Sequence, residues 1–239
     1  MEMRKQGYFL IALAFHLLCS TSYSQEKQSF AGLRGGITLP IGKYSQPALD
    51  RGSFALTGFN VSAEGAWFFH RNVGAGASAG LAMHPVDVGL LGREKVKADP
   101  FLQDVVIRSD PYLIITAMAG AFTDIPLKGK FRFTAKLLSG LLYGKTPYQL
   151  YKPEYFLVGP EYYEITSAKD WKFSWLAGAG LRYDISPCFG LVLDTDLVYD
   201  KLTFGFVTAT GKRYEDHTIS FVNITLGIRF NLTTGNLTE

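Results

Sequence analysis

Residues 130–144 read KFRFTAKLLSGLLYG. Phe131, Phe133, Ala135, Leu137, Leu141 and Tyr143 occupy alternate positions, with Arg132, Thr134, Lys136 and Gly140 between them. Successive side chains of an extended chain point to opposite faces, so this stretch predicts a strand with one greasy side free of charge and one polar side. Fifteen residues at ~3.3 Å each make a strand much longer than the five or six residues usual in soluble sheets, and long enough to cross a bilayer at a tilt.

The same pattern recurs on either side. In 54–69 the apolar face is Ala55, Phe59, Val61, Ala63, Trp67 and Phe69, against Asn60, Ser62 and Glu64. In 171–183, Phe173, Trp175, Ala177, Ala179, Leu181 and Tyr183 oppose Ser174, Gly178, Gly180 and Arg182. Segment 190–199 sets Leu191, Leu193, Thr195, Leu197 and Tyr199 against Asp194 and Asp196, and 218–230 sets Ile224, Leu226, Ile228 and Phe230 against Asn223, Thr225, Gly227 and Arg229. With 30–41, 73–84 and 112–123 the segments number eight. The stretch from Tyr112 to Thr123 is apolar on both faces, and periodicity does not orient it.

The connections alternate in length. Short links at 69–72, 124–129 and 184–189 take turns with long ones at 42–53, 85–111, 145–170 and 200–217. An all-β, eight-stranded antiparallel up-and-down transmembrane β-barrel has this asymmetry, with tight turns at one end, long loops at the other and both termini on the turn side. A soluble barrel or sandwich also alternates, with its apolar face inward. Aromatics at segment ends, among them Phe68, Phe69, Tyr112, Tyr143, Trp171, Tyr183, Phe189, Tyr199 and Phe230, favour the membrane reading, because interfacial girdles are built from such residues.

Composition narrows the function classes. Charged residues make up 19% of the 239, below the roughly 25% of soluble domains, and no apolar run approaches the ~18 residues of a spanning helix. A net charge of +3 without a block of like charges leaves no footprint for nucleic acid. Arg4 and Lys5 precede an apolar stretch from Tyr8 to Leu18, and Ser22 and Ser24 stand at the −3 and −1 positions of a cleavage site, so residues 1–24 are expected to be a secretory signal peptide. The barrel is then 25–232, with a short tail at 233–239. Cleavage removes Cys19 and leaves Cys188 without an internal disulfide partner.

The signal ending Tyr23-Ser24-Gln25, an opening strand with Gly32, Gly35 and Gly36, and the closing run Leu226-Gly227-Ile228-Arg229-Phe230-Asn231-Leu232 resemble the outer membrane beta-barrel, porin-like families of Bacteroidetes. The resemblance covers almost the whole mature chain. It implies a bacterial outer membrane location, contact with outer membrane lipid, recognition of the closing strand by the outer membrane insertion machinery, and a bare barrel without a wall-binding domain.

If the polar faces point inward, Arg34, Glu64, Arg132, Lys136, Arg182, Asp194, Asp196 and Arg229 share a narrow interior. An eight-stranded lumen is just wide enough to be filled by side chains, so these five cations and three acids are expected to pair, Arg34 with Glu64 and Arg182 with Asp194 or Asp196. Asp194 and Asp196 fit an acid/base pair as well, but neutralising arginines is the simpler task. Among the histidines, His84 is read as a rim residue beside a long loop. His217 stands three residues before Ser220, which places the two on opposite strand faces and argues against a lipid-cleaving pair. No phosphate loop, HExxH or calcium loop is present, and no cofactor or metal is expected. The loop 145–170 carries Tyr148, Tyr151, Tyr155, Phe156, Tyr162 and Tyr163, suited equally to contact with a surface protein or glycan and to folding over the barrel mouth. The expected function is that of a monomeric, side-chain-filled outer membrane barrel with an envelope-structural or surface-interaction role. Transport of small or apolar solutes is the alternative, and a lipid-modifying barrel enzyme the third reading.

Overall fold

The computed structural model describes residues 28–49, 52–157, 159–208 and 211–233. The expected signal and residues 234–239 of the expected tail lie outside these, and Thr233 still belongs to the last strand. Among the described residues there are eleven strands: β1 (Gln28–Pro40), β2 (Gly58–Phe68), β3 (Val73–His84), β4 (Leu102–Ser109), β5 (Tyr112–Pro126), β6 (Phe131–Lys145), β7 (Gln149–Tyr155), β8 (Tyr163–Ile165), β9 (Lys169–Ser186), β10 (Phe189–Thr208) and β11 (Gly211–Thr233), with one α-helix, α1 (Val88–Ala98).

Eight of the strands, β1, β2, β3, β5, β6, β9, β10 and β11, pair antiparallel with their neighbours in chain order, and β1 also pairs with β11, so the sheet closes. Closure removes the two exposed edges that an open eight-stranded sheet would carry. The short links all lie at one end. The Phe69–Asn72 turn is held by mutual backbone bonds between His70 and Val73, and Gly129 takes the left-handed backbone (φ 70°) that the turn before β6 requires.

Three features depart from the sequence expectation. The second strand begins at Gly58, because 54–57 leave the barrel wall and pair at Ala55 with Val86. The link expected at 200–217 is mostly strand: β10 continues to Thr208, and β11 begins at Gly211. Inward Leu202, Phe204 and Ile219 are fully buried, so the alternation continues past Asp200 and Lys201. Finally, the long connections are themselves folded, one of them with a helix. Asp87 caps α1 by accepting a hydrogen bond from the Leu90 amide at 2.9 Å, and α1 packs on β4 at the buried Gly92. Strands β4, β7 and β8 form a separate three-stranded sheet, whose apolar side, Leu102, Val105, Ile107 and Tyr151, is buried.

The two faces of the barrel wall differ sharply. Outward positions include Leu33 at 60% exposure, Trp171 at 64% and Leu226 at 62%, while Arg34, Arg182 and Arg229 on the neighbouring inward positions are buried. Outward aromatics gather toward the two ends of the wall. Trp67, Phe69, Phe131, Tyr183, Phe189 and Phe230 ring the turn end, with Phe131 against Tyr183 (5.1 Å) and Phe189 against Phe230 (5.7 Å). Tyr143, Trp171, Phe173, Trp175 and Tyr199 form an arc toward the other over the adjacent strands β6, β9 and β10, with Tyr143 against Trp171 at 4.7 Å. From Phe131 to Tyr143 the strand advances about 40 Å, or about 30 Å along the axis at a ~40° tilt, close to the thickness of a membrane's hydrocarbon core.

Candidate functional site

Inward side chains stack in layers from the turn end to the mouth. At the turn end, Asp124 on β5 receives Arg132 Nε at 2.5 Å, Arg182 Nη1 at 2.6 Å and Arg229 Nη2 at 3.0 Å. Arg182 also reaches Asp184 at 2.5 Å. The Arg229 guanidinium lies 3.4 Å from the centre of the Phe30 ring, and Phe30 packs on Phe68 and Phe122, so an aromatic bed supports this cluster.

Halfway up, Arg34 on β1 meets three carboxylates: Glu64 at 3.0 Å, and Asp194 and Asp196 at 2.9 Å each. Lys136 on β6 reaches Glu64 at 3.0 Å and Asp196 at 2.9 Å. Thr134 donates to Asp194 at 3.3 Å. Gly178 and Gly180 face Asp196 and Asp194 across the β9–β10 ladder, and a Cβ on either would fall about 2 Å from the opposing carboxylate oxygen. These glycines clear the space that the acids occupy. Gly180→Val is expected to displace the Asp194 carboxylate from Arg34 and to lower the unfolding midpoint, whereas the same change at Ala179, on the outward face, is expected to be nearly neutral.

The structure brings all eight sequence-designated interior residues into the lumen and adds two that the sequence reading missed, Asp124 and Asp184. With them the five cations (Arg34, Arg132, Lys136, Arg182, Arg229) face five acids (Glu64, Asp124, Asp184, Asp194, Asp196). One expected pairing changes. Arg34 does meet Glu64, but Asp194 and Asp196 turn across the lumen to Arg34 and Lys136, and Arg182, opposite Val192 in register, is directed toward Asp124 and Asp184. Between the two clusters remains a cavity of about 10 Å³, bordered by Glu64, Lys136, Asp194 and Arg229. Such a space holds about one water.

Toward the mouth the interior becomes apolar, with Ile114, Leu138, Leu142, Val198, Leu202, Phe204, Ile219 and Phe221 buried. Tyr44, from a single 3-10 turn after β1, inserts among them and packs edge-on against His84 (5.0 Å) and Tyr112 (5.4 Å). His84 is therefore no rim residue: it is fully buried, with its ring nitrogens 3.3 Å from the Thr38 hydroxyl and 3.2 Å from the Leu56 carbonyl oxygen. His217 pairs with the Ser53 hydroxyl at 3.4 Å, and Ser220 donates to the Ile41 carbonyl at 2.7 Å, so this histidine and serine serve different partners.

The aromatic loop divides. Tyr151 is 1% exposed and stacks flat on Tyr163 (4.7 Å, 4°), and Tyr155 is half-buried against the same small sheet. Phe156 (73%) and Tyr162 (67%) stand in solvent, and Tyr148 is exposed with its hydroxyl donating to Glu164. Burial raises the Tyr151 hydroxyl's pKa above its ordinary value, so it stays protonated as a donor to Gln149 at 2.5 Å.

No family model and no curated protein matches the chain. Solved structures to which it is similar are small bacterial outer-membrane β-barrel proteins in general and do not single out a Bacteroidetes type. Neisserial surface protein A is 9% identical over 87% of this chain and 97% of its own, at a TM-score of 0.42. The outer membrane protein AlkL, studied in lipid bilayers, is 12% identical over 92% and 97%, at 0.47. A major outer membrane protein from Thermus thermophilus is 14% identical over 85% and 99%, at 0.44.

Proposed function

We propose that the chain is a monomeric, plugged barrel of the bacterial outer membrane that supports the envelope and presents its folded outer loops to a surface partner, a protein or glycan. The observation that carries this reading is the inverted wall: ion pairs and arginines inside, and a band of exposed leucines and aromatics outside. A water-soluble barrel with this surface would expose far more contiguous apolar area than monomers tolerate, whereas lipid is the solvent that matches it. The turns face the periplasm, the β4–β7–β8 sheet faces outward, and lipid and the insertion machinery are the barrel's partners.

Membrane-extracted protein should migrate faster on a gel before boiling than after, and recovery as a soluble periplasmic protein would overturn the proposal. In planar lipid, no large stable conductance steps are expected, because both ionic clusters close the lumen. Steps of that kind would favour the transport alternative. Leu226→Arg, in the middle of the outward band, should cost about 2–4 kcal/mol in the lipid-inserted protein, while Thr203→Arg on the tall β10–β11 hairpin should cost under about 1 kcal/mol. Equal costs would place both in the same solvent and remove the membrane. Replacing residues 147–167 by a short Gly-Ser linker takes away β7 and β8 and leaves every barrel strand, so it should abolish surface binding without changing heat-modifiable mobility.

A further inference from the structure

Above Tyr44 the barrel opens into a chamber of about 170 Å³, enclosed by the small outer sheet, α1 and the tall β10–β11 hairpin. Its walls are mostly apolar: Phe54, Leu91, Ile165 and Phe206, with Tyr112 at the base and Tyr151 at the side. Two charged groups and a histidine also border it. Glu215 is already engaged, by Arg213 at 2.8 Å and His217 at 3.5 Å, and His217 is further held by Ser53. Lys95 is different. It projects from the last turn of α1 with its ammonium 4.7 Å from the Tyr151 ring centre and 5.9 Å from that of Tyr163, and it has no carboxylate or hydrogen-bond acceptor among the described residues.

A half-buried ammonium without an anion is an unusual arrangement, because desolvation disfavours the charged form unless something compensates. Burial lowers the pKa of Lys95 from its ordinary value. Its two tyrosine neighbours supply only ring faces. The chamber thus offers a mostly apolar space with one positive charge on its wall that no anion among the described residues meets. Phe54 lines it in a left-handed backbone conformation (φ 52°) that is strained for a residue with a side chain, a feature that concentrates at ligand sites.

We infer that this chamber binds a small organic monoanion with an apolar body, its carboxylate on Lys95 and its hydrocarbon part against Phe54, Leu91 and Phe206. Because Tyr44, Tyr112 and the ionic layers close the floor, the site captures its ligand and does not conduct it inward. The inference goes beyond the envelope role and does not depend on it, since the walls come from the outer loops and hairpin.

The test uses the full chain in micelles and two fluorinated probes of nearly equal shape, 4-fluorobenzoate and its neutral amide 4-fluorobenzamide, followed by fluorine NMR. Saturable binding of the benzoate, with the amide at least about tenfold weaker, is the expected result for one charge-assisted contact. Lys95→Met should weaken benzoate about tenfold and leave the amide unchanged, Lys95→Arg should retain most of the affinity, and Lys97→Met, on the solvent side of α1 and paired with Glu94, should change nothing. Equal binding of the two probes by the unmodified protein, or benzoate uptake that never saturates, overturns the proposal whatever the variants do. Retention of benzoate affinity by a heat-modifiable Lys95→Met protein overturns it as well.

Discussion

Asp124→Asn should lower the unfolding free energy by about 3–5 kcal/mol, the usual consequence of removing one partner from a buried ion cluster. The substitution keeps shape and volume but removes the charge on which three guanidinium groups converge, from β6, β9 and β11. Of those groups, Arg182 retains Asp184, and Arg229 keeps its seat over Phe30, yet neither contact replaces the buried Asp124 carboxylate. Chemical unfolding in detergent, followed by tryptophan fluorescence, reads the effect directly, because Trp67, Trp171 and Trp175 all stand on the outer wall and change solvent on unfolding. Adding Arg229→Met to the Asp124→Asn chain should recover at least about 1 kcal/mol by removing a cation that has lost its anion. A loss below about 1 kcal/mol in the single variant, or a double variant less stable than the single, would show that the arginines do not depend on Asp124.

Arg34→Met is expected to be about as damaging, at about 3–5 kcal/mol, for the complementary reason. Lys136 would then face Glu64, Asp194 and Asp196 alone. Like charges confined at such distances repel strongly where little water screens them. Arg34→Met combined with Asp196→Asn should be more stable than Arg34→Met alone, since it removes one of the excess charges, whereas Arg108→Met on the exposed edge of β4 should stay within about 0.5 kcal/mol of the parent. If the double change adds its two single costs, the middle cluster is not an electrostatic unit and the plug must rest on packing alone.

Much of the barrel is legible in the sequence because its chemistry alternates where the wall separates two solvents. Phe131 to Tyr143 and Phe173 to Tyr183 lie outward, and Arg132, Lys136 and Arg182 inward, as the period of two requires. The reading fails where the interior itself is apolar. Tyr112, Ile114, Met118 and Phe122 point inward, and Leu113 and Ile115 outward, so contrast between the faces vanishes in β5. Without an orientation for β5, Asp124 looks like a turn residue, although it simply continues the even-numbered inward face of that strand. In the outer halves of β10 and β11 the contrast is inverted: Leu202, Phe204 and Ile219 lie inward and buried, while Lys201 and Thr203 lie outward and exposed. The small outer sheet escapes for another reason: β4 is completed by β7, 40 residues along the chain at the Ser109–Gln149 pair, and neither strand is long enough to announce itself.

The Arg34–Asp194 bond joins the first strand to the seventh of eight across 160 residues. Until β10 arrives, the amino-terminal hairpin carries Arg34 with Glu64 alone, and Asp124 likewise waits more than 100 residues for Arg229. No partial set of strands is both closed and charge-neutral inside. Such distant pairings cost loop-closure entropy before they return any stability, which makes assembly slow and leaves few stable stopping points along the way. The interior ion pairs therefore also work as a completion check: a chain truncated before β10 cannot neutralise its own lumen, and only the finished ring can bury it.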